Sequence, residues 1–207
     1  MSPLQFGPPV DDSVELARAE LYGLLSALFQ APPSGALYEQ LRGAVTQAPV
    51  AGAFLEHAFG ALVQASRRVP LTAVAEEYDT LFQGIGRPEV FLHASYFIAG
   101  ALNARPLVAL RDDLVGLGIE RDPAQFVTED HLAFMCEVMR LLIAGEDREA
   151  VDLATQRRFF DTHLRGWADA LWDALEMHPR SDFYRSVARL GRDFFSVEAQ
   201  AFDMLEP

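Results

Sequence analysis

Apolar residues in this chain recur at intervals of three and four almost from end to end, and nowhere do they alternate for long enough to make a sheet. That interval matches the α-helical turn, so each segment carries one apolar side that must be covered. Val14, Ala17, Leu21, Leu24, Leu25 and Leu28 form the first such face. Asp12 or Ser13 is placed to cap its start, and Pro32-Pro33 stops it, because proline lacks the amide donor and clashes with the preceding turn. Ser34 is placed to cap a second helix with Leu37, Leu41 and Val45 on its face. Pro49 separates that helix from a third, bearing Phe54, Leu55, Phe59, Leu62 and Val63, and Pro70 opens a fourth with Leu71, Val74, Tyr78, Leu81 and Phe82.

Gly84-Ile85-Gly86-Arg87-Pro88 breaks the pattern. Glycine loses most entropy in a helix and proline cannot donate, so a loop is predicted over 84–93. Helical spacing resumes near Ala94, pauses at Asn103, and runs from Pro106 to about Leu117. Gly116, Gly118 and Asp122-Pro123 mark a second loop. Thr128 is the expected cap of a helix faced by Leu132, Met135, Met139 and Leu142 and ended by Gly145. Asp147 is the expected cap of the next, which carries Val151, Ala154, Phe159, Leu164, Trp167, Leu171 and Leu175 with a break near Arg158. Pro179 ends it, and Ser181 is the expected cap of a last helix with Phe183, Val187, Leu190 and Phe194. Trp167, Trp172, Phe183, Tyr184, Phe194 and Phe195 fall on helix faces as core. The expectation is an all-α fold: one bundle-like domain over 1–207, of about eight to ten helices, with the loop at 84–93 between its N- and C-terminal halves.

Bulk properties restrict function. Half of the 207 residues are hydrophobic, enough for a core without metals or disulfides, and the single cysteine, Cys136, allows no internal bridge. A net charge of −13 argues against nucleic acid and favours cationic partners, arginine-rich peptides among them. Met1 to Val10 lacks the basic region and apolar core of a secretory leader, and Arg67-Arg68 and Arg157-Arg158 have helical flanks rather than those of an export signal. No run has the length of a membrane span, so no membrane insertion is expected and a cytoplasmic location is.

Chemistry-bearing motifs are sparse. No phosphate loop is present, and Gly84-Ile85-Gly86 lacks the strand and third glycine of a dinucleotide site, so no cofactor is expected. The five histidines make no i, i+4 pair; a metal site would need Asp130, His131 and distant histidines such as His163 to converge. Thr128-Glu129-Asp130-His131 is the one polar cluster at a predicted helix start. It reads either as acids complementing a helix dipole or as a site for a guanidinium beside a titratable imidazole. Tyr78, Phe82, Phe91, Tyr96 and Phe97 flank the glycine loop, either as core or as an apolar groove for a peptide.

Several segments resemble a known family. Glu77-Tyr78-Asp79-Thr80-Leu81-Phe82-Gln83-Gly84-Ile85-Gly86-Arg87-Pro88 is similar to the tyrosine, Leu-Phe, glycine-loop and proline signature of the TorD/DmsD/NarJ chaperones, and Ser95-Tyr96 resembles their serine-aromatic step after the loop. Glu129-Asp130-His131-Leu132 resembles their aspartate-histidine-leucine motif, with Thr128 and Glu129 where prolines are usual. Arg18, Leu21-Tyr22, Leu24-Leu25 and Phe29 resemble the family's opening, and His163-Leu164, Trp167, Phe183-Tyr184 and Leu190 its tail. The resemblance implies an all-α cytoplasmic chaperone, not an enzyme, monomeric or dimeric. Its partners would be the immature catalytic subunit of a molybdopterin oxidoreductase and that subunit's twin-arginine leader peptide. It implies leader contacts at Asp130 and His131 with Glu129, and an apolar surface around Tyr78, Phe82, Gly86, Pro88, Ser95 and Tyr96. The alternative is a metal-dependent helical hydrolase built on Asp130, His131 and distant histidines.

Overall fold

A helix that is apolar over most of its surface has to sit largely inside, and the chain has one. The computed structural model describes residues 12–46, 54–84, 86–122, 127–145 and 152–205. Among them ten α-helices follow in order: α1 Asp12–Gln30, α2 Gly35–Gly43, α3 Phe54–Arg68, α4 Leu71–Tyr78, α5 Ala94–Ala99, α6 Arg105–Leu117, α7 Leu132–Ala144, α8 Leu153–His163, α9 Arg165–Met177 and α10 Phe183–Asp203. Helix α4 runs on into one π-helical turn, Asp79–Gln83. Helix α7 is that helix, apolar on all but the side that carries the Glu137–Arg140 ion pair and burying nine of its 13 residues. Helix α1 lies along it, and α10 packs against α3 and α9 to close one continuous core.

The contact of α9 with α10 is close because Gly191 has no side chain. A Cβ there would stand 2.7 Å from the Trp172 ring, which is itself fully buried. Gly191→Ala is therefore expected to overpack the core and cost about 1–3 kcal/mol, read as a lowered midpoint in urea with an unchanged slope.

Helix ends are satisfied partly from afar. Ser34 Oγ accepts the Leu37 amide as expected, and Gly145 ends α7 in a left-handed conformation. The last carbonyls of α1 are taken by tyrosines from elsewhere: Tyr184 Oη donates to Leu28 O at 2.9 Å and Tyr78 Oη to Phe29 O at 3.1 Å. The start of α10 is capped by a residue more than a hundred positions away, since the buried Glu77 carboxylate accepts the amides of Asp182, Phe183 and Tyr184 at 2.8–3.0 Å.

Four local expectations are corrected. Ser181 does not cap α10; Glu77 does, and the buried Ser181 hydroxyl has no hydrogen-bond partner. Thr128 does not cap α7; its carbonyl closes a turn through Glu129 and Asp130 onto the His131 amide, and His131, bridged to His93 of the loop, becomes the cap. The α8–α9 break falls at Leu164 rather than near Arg158, where an Arg157–Asp161 ion pair at i, i+4 supports the helix. The first apolar stripe divides: Leu25 and Leu28 are core, Leu21 and Leu24 are half-buried, and Val14 and Ala17 are exposed. Pro49, Ile85, Pro123, Asp147 and Val151 lie outside the described residues.

Candidate functional site

The Asp-His motif and the loop over 84–93 meet through backbone. Leu132 donates to Leu92 O at 2.8 Å and Ala94 to Asp130 O at 2.9 Å, a single antiparallel bridge that ties the start of α7 to the start of α5. Asp130, only 1% exposed, completes the tie: its carboxylate accepts the Ser95 amide at 3.0 Å and the Thr128 hydroxyl at 2.6 Å. Burial pushes its pKa up, but the hydrogen bonds from Ser95 and Thr128 prevail and hold it below the usual carboxylate value. His131 caps α7 by accepting the Ala133 amide on Nδ1 at 3.2 Å, and its ring meets His93 edge-on, 4.9 Å between centroids. Burial, with His93 adding to it, lowers the His131 pKa to about 3. The imidazole is thus neutral, and its proton sits on the other ring nitrogen.

Glu129 reaches the surface but is already engaged, with Arg111 at 2.8 Å and Arg121 at 3.4 Å. Burial opposes its ionisation; the arginine hydrogen bonds outweigh that and keep its pKa low.

The aromatics divide. Tyr78 and Phe82 are buried, Phe82 packing edge-on to Phe29, Tyr78 and Tyr184. Tyr96 and Phe91 are half-buried and stacked, 4.0 Å between centroids, with the Arg87 guanidinium over Phe91 and hydrogen-bonded to Tyr96. Gly86 is exposed and Pro88 half-buried. Gly84 must be glycine: its φ is +57°, and a Cβ would fall 2.0 Å from Arg87 O.

The expected recess of acid beside rings therefore does not form from these side chains. Asp130, His131, Ser95, Tyr78 and Phe82 are buried in this conformation: the Asp130 carboxylate and His131 Nδ1 are engaged internally, the rings fill the core, and the Ser95 hydroxyl is buried without a hydrogen-bond partner. The alternative metal site does not assemble either. His163 is held by Asp113 at 2.7 Å, and among the described residues no group of three or more His, Cys, Asp and Glu is close enough to hold a metal.

An open groove lies elsewhere, between α1, α2 and α3. Its cavity is about 450 Å³, walled by Leu21 and Leu24 of α1, Leu37 and Leu41 of α2, and Leu55 and Phe59 of α3, with Leu190 of α10 and the small side chains of Ala17 and Ala44. Glu20, Gln40 and Glu56 complete its lining, the two glutamates exposed. Sequence reasoning missed it, although a signal existed: the apolar arc of α1 is too wide for one neighbour to cover.

The described residues thus form an all-α protein with one core and an open apolar groove between helices. The chain belongs to the nitrate reductase delta subunit family, whose profile matches residues 46–173. This agrees with the resemblance to the TorD/DmsD/NarJ chaperones. A redox enzyme maturation protein from Archaeoglobus fulgidus shares the fold at a TM-score of 0.58 and 18% identity, over 95% of this chain and 99% of that one. No curated relative matches the chain.

Proposed function

We propose that this protein is a cytoplasmic maturation chaperone, not an enzyme, that holds the twin-arginine leader of an immature molybdopterin oxidoreductase catalytic subunit in the groove between α1, α2 and α3 until its cofactor is in place. The family supports the class of client. No helix among the described residues is long and apolar enough to cross a membrane. The observation that carries the reading is the groove itself, apolar along its length and edged by glutamates, which matches a leader's arginines followed by an apolar run.

The walls are helices, whose backbone groups already bond within each helix, so they present no sheet edge to an extended peptide. A bound segment has to satisfy its own amides, and an amphipathic helix does so. Burying about 300 Å² of apolar surface contributes roughly 7 kcal/mol before the cost of ordering the peptide, which brings net affinity into the micromolar range. In this reading Asp130, His131, Ser95, Tyr78, Phe82 and Gly84 hold the frame, and Gly86, Pro88, Tyr96 and Glu129 are the members of the expected site that reach the surface.

Titration of a fluorescent peptide bearing two adjacent arginines and an apolar run tests this. Leu24→Gln with Leu37→Gln is expected to weaken binding at least about tenfold. Asp130→Asn, with its fold intact by circular dichroism, is expected to bind as wild type. The reverse pattern would move the contact to the Asp-His hub and end the groove assignment.

A further inference from the structure

The groove is not the same at its two ends. The four-residue connector between Gln30 and Gly35 pins the start of α2 to the end of α1, yet Ala44, just past the end of α2, lines the same recess as Ala17 in the first half of α1. Helix α2 must therefore fold back along α1. Leu24 and Leu37 then lie towards the connector, and Ala17 and Ala44 at the opposite end. Glu56 belongs to that opposite end, because it lines an adjoining recess of about 220 Å³ with Val45, Thr46 and Phe59. Glu20 stands one helical turn from Ala17.

Neither glutamate forms a salt bridge with any described residue, and no lysine or arginine lines the groove. The neighbouring Arg67 guanidinium is held on the carbonyls of Arg42 and Ala44, at 2.9 and 2.8 Å. One end is thus acidic and the other apolar.

We infer that the groove sets the direction of its occupant: the basic residues of a client segment sit at the Glu20–Glu56 end, and its apolar residues run towards Leu24 and Leu37, parallel to α1. This rests on the groove reading above. Two effects point the same way. The carboxylates attract guanidinium groups. The same carboxylates also face the N-terminus of a helix bound in this sense, which carries the positive end of its dipole.

Site-directed alkylation tests the direction. Cys136 is buried, its thiol pKa raised by that burial, so an introduced surface cysteine is the reactive one. Val45→Cys, at an 89% exposed position, reports the acidic end, and Ala27→Cys, one turn beyond Leu24 on α1, the other. The probe is a synthetic peptide of two adjacent arginines followed by an apolar run, carrying a bromoacetyl group at one terminus. With the group beside the arginines, Val45→Cys is expected to react at least about tenfold faster than Ala27→Cys, and moving it to the far terminus is expected to invert the preference. Equal or opposite preferences, with binding retained by fluorescence anisotropy, overturn the direction and leave the groove standing. Loss of anisotropy binding to wild type overturns the groove reading itself.

Discussion

Glu198→Ala is expected to destabilise the fold by about 3–5 kcal/mol, the largest single loss among the polar contacts of this chain. Glu198 is 2% exposed, and its two oxygens accept from Arg18 Nε at 2.7 Å and Nη2 at 2.8 Å, with Tyr22 Oη donating at 3.0 Å. Arg18 also donates to Glu15 at 2.7 Å and Gln156 at 3.1 Å, so one guanidinium joins α1, α8 and α10. Truncation removes two of the guanidinium's four bonds, leaving it on Glu15 and Gln156, and strips the fully buried Tyr22 hydroxyl of its acceptor, so both the lost bonds and the uncompensated desolvation count. Glu198→Gln is expected to cost less, because its amide oxygen still accepts one bond. Arg18→Met with Glu198→Leu is expected to recover much of the loss, since an apolar pair needs no counter-charge. Urea denaturation at neutral pH measures all three. A Glu198→Ala protein within about 1 kcal/mol of wild type would show the network to be solvated in solution.

Acid is expected to remove several kcal/mol through His131. Its pKa is about 6.5 unfolded and about 3 in the fold, so the native state refuses a proton that the unfolded chain accepts. The stabilisation is complete above about pH 6.5 and is lost as pH falls through that value towards 3, to a total of about 5 kcal/mol. His93 is lowered in the same direction, chiefly by its own burial, and adds to the same limb. His131→Asn keeps an acceptor for the Ala133 amide while removing the titrating ring. Its stability is expected to fall less steeply between pH 6.5 and 4 than that of wild type. Identical slopes in urea melts across that range would remove His131 from the account.

Much of the architecture was readable because helices announce themselves locally. Ser34, Gly145, Pro70 and Pro179 act within a turn or two of where they stand, and the structure places helix boundaries beside each. The paired tryptophans and the phenylalanines of α9 and α10 fell on the inward face because spacing alone sets it. The motifs were legible as a family but not as a surface. Asp130 and His131 looked like charges at a helix mouth; their bonds to Ser95 and Ala133 turn them inward. Tyr78 and Phe82 looked like loop neighbours, and their rings pack inward on Phe29 and Tyr184 instead.

Helical class, most boundaries and the acidic character of the chain follow from the order of residues alone, because they depend on backbone preference, periodicity and net charge, which act over a few neighbours or none. Which polar groups stay in water was settled only in three dimensions. Glu77 finds the start of α10 and Glu198 finds Arg18 across distances in sequence that no local pattern records. The groove, too, exists only where three helices diverge, since an apolar face becomes core or binding surface according to whether another element arrives to cover it.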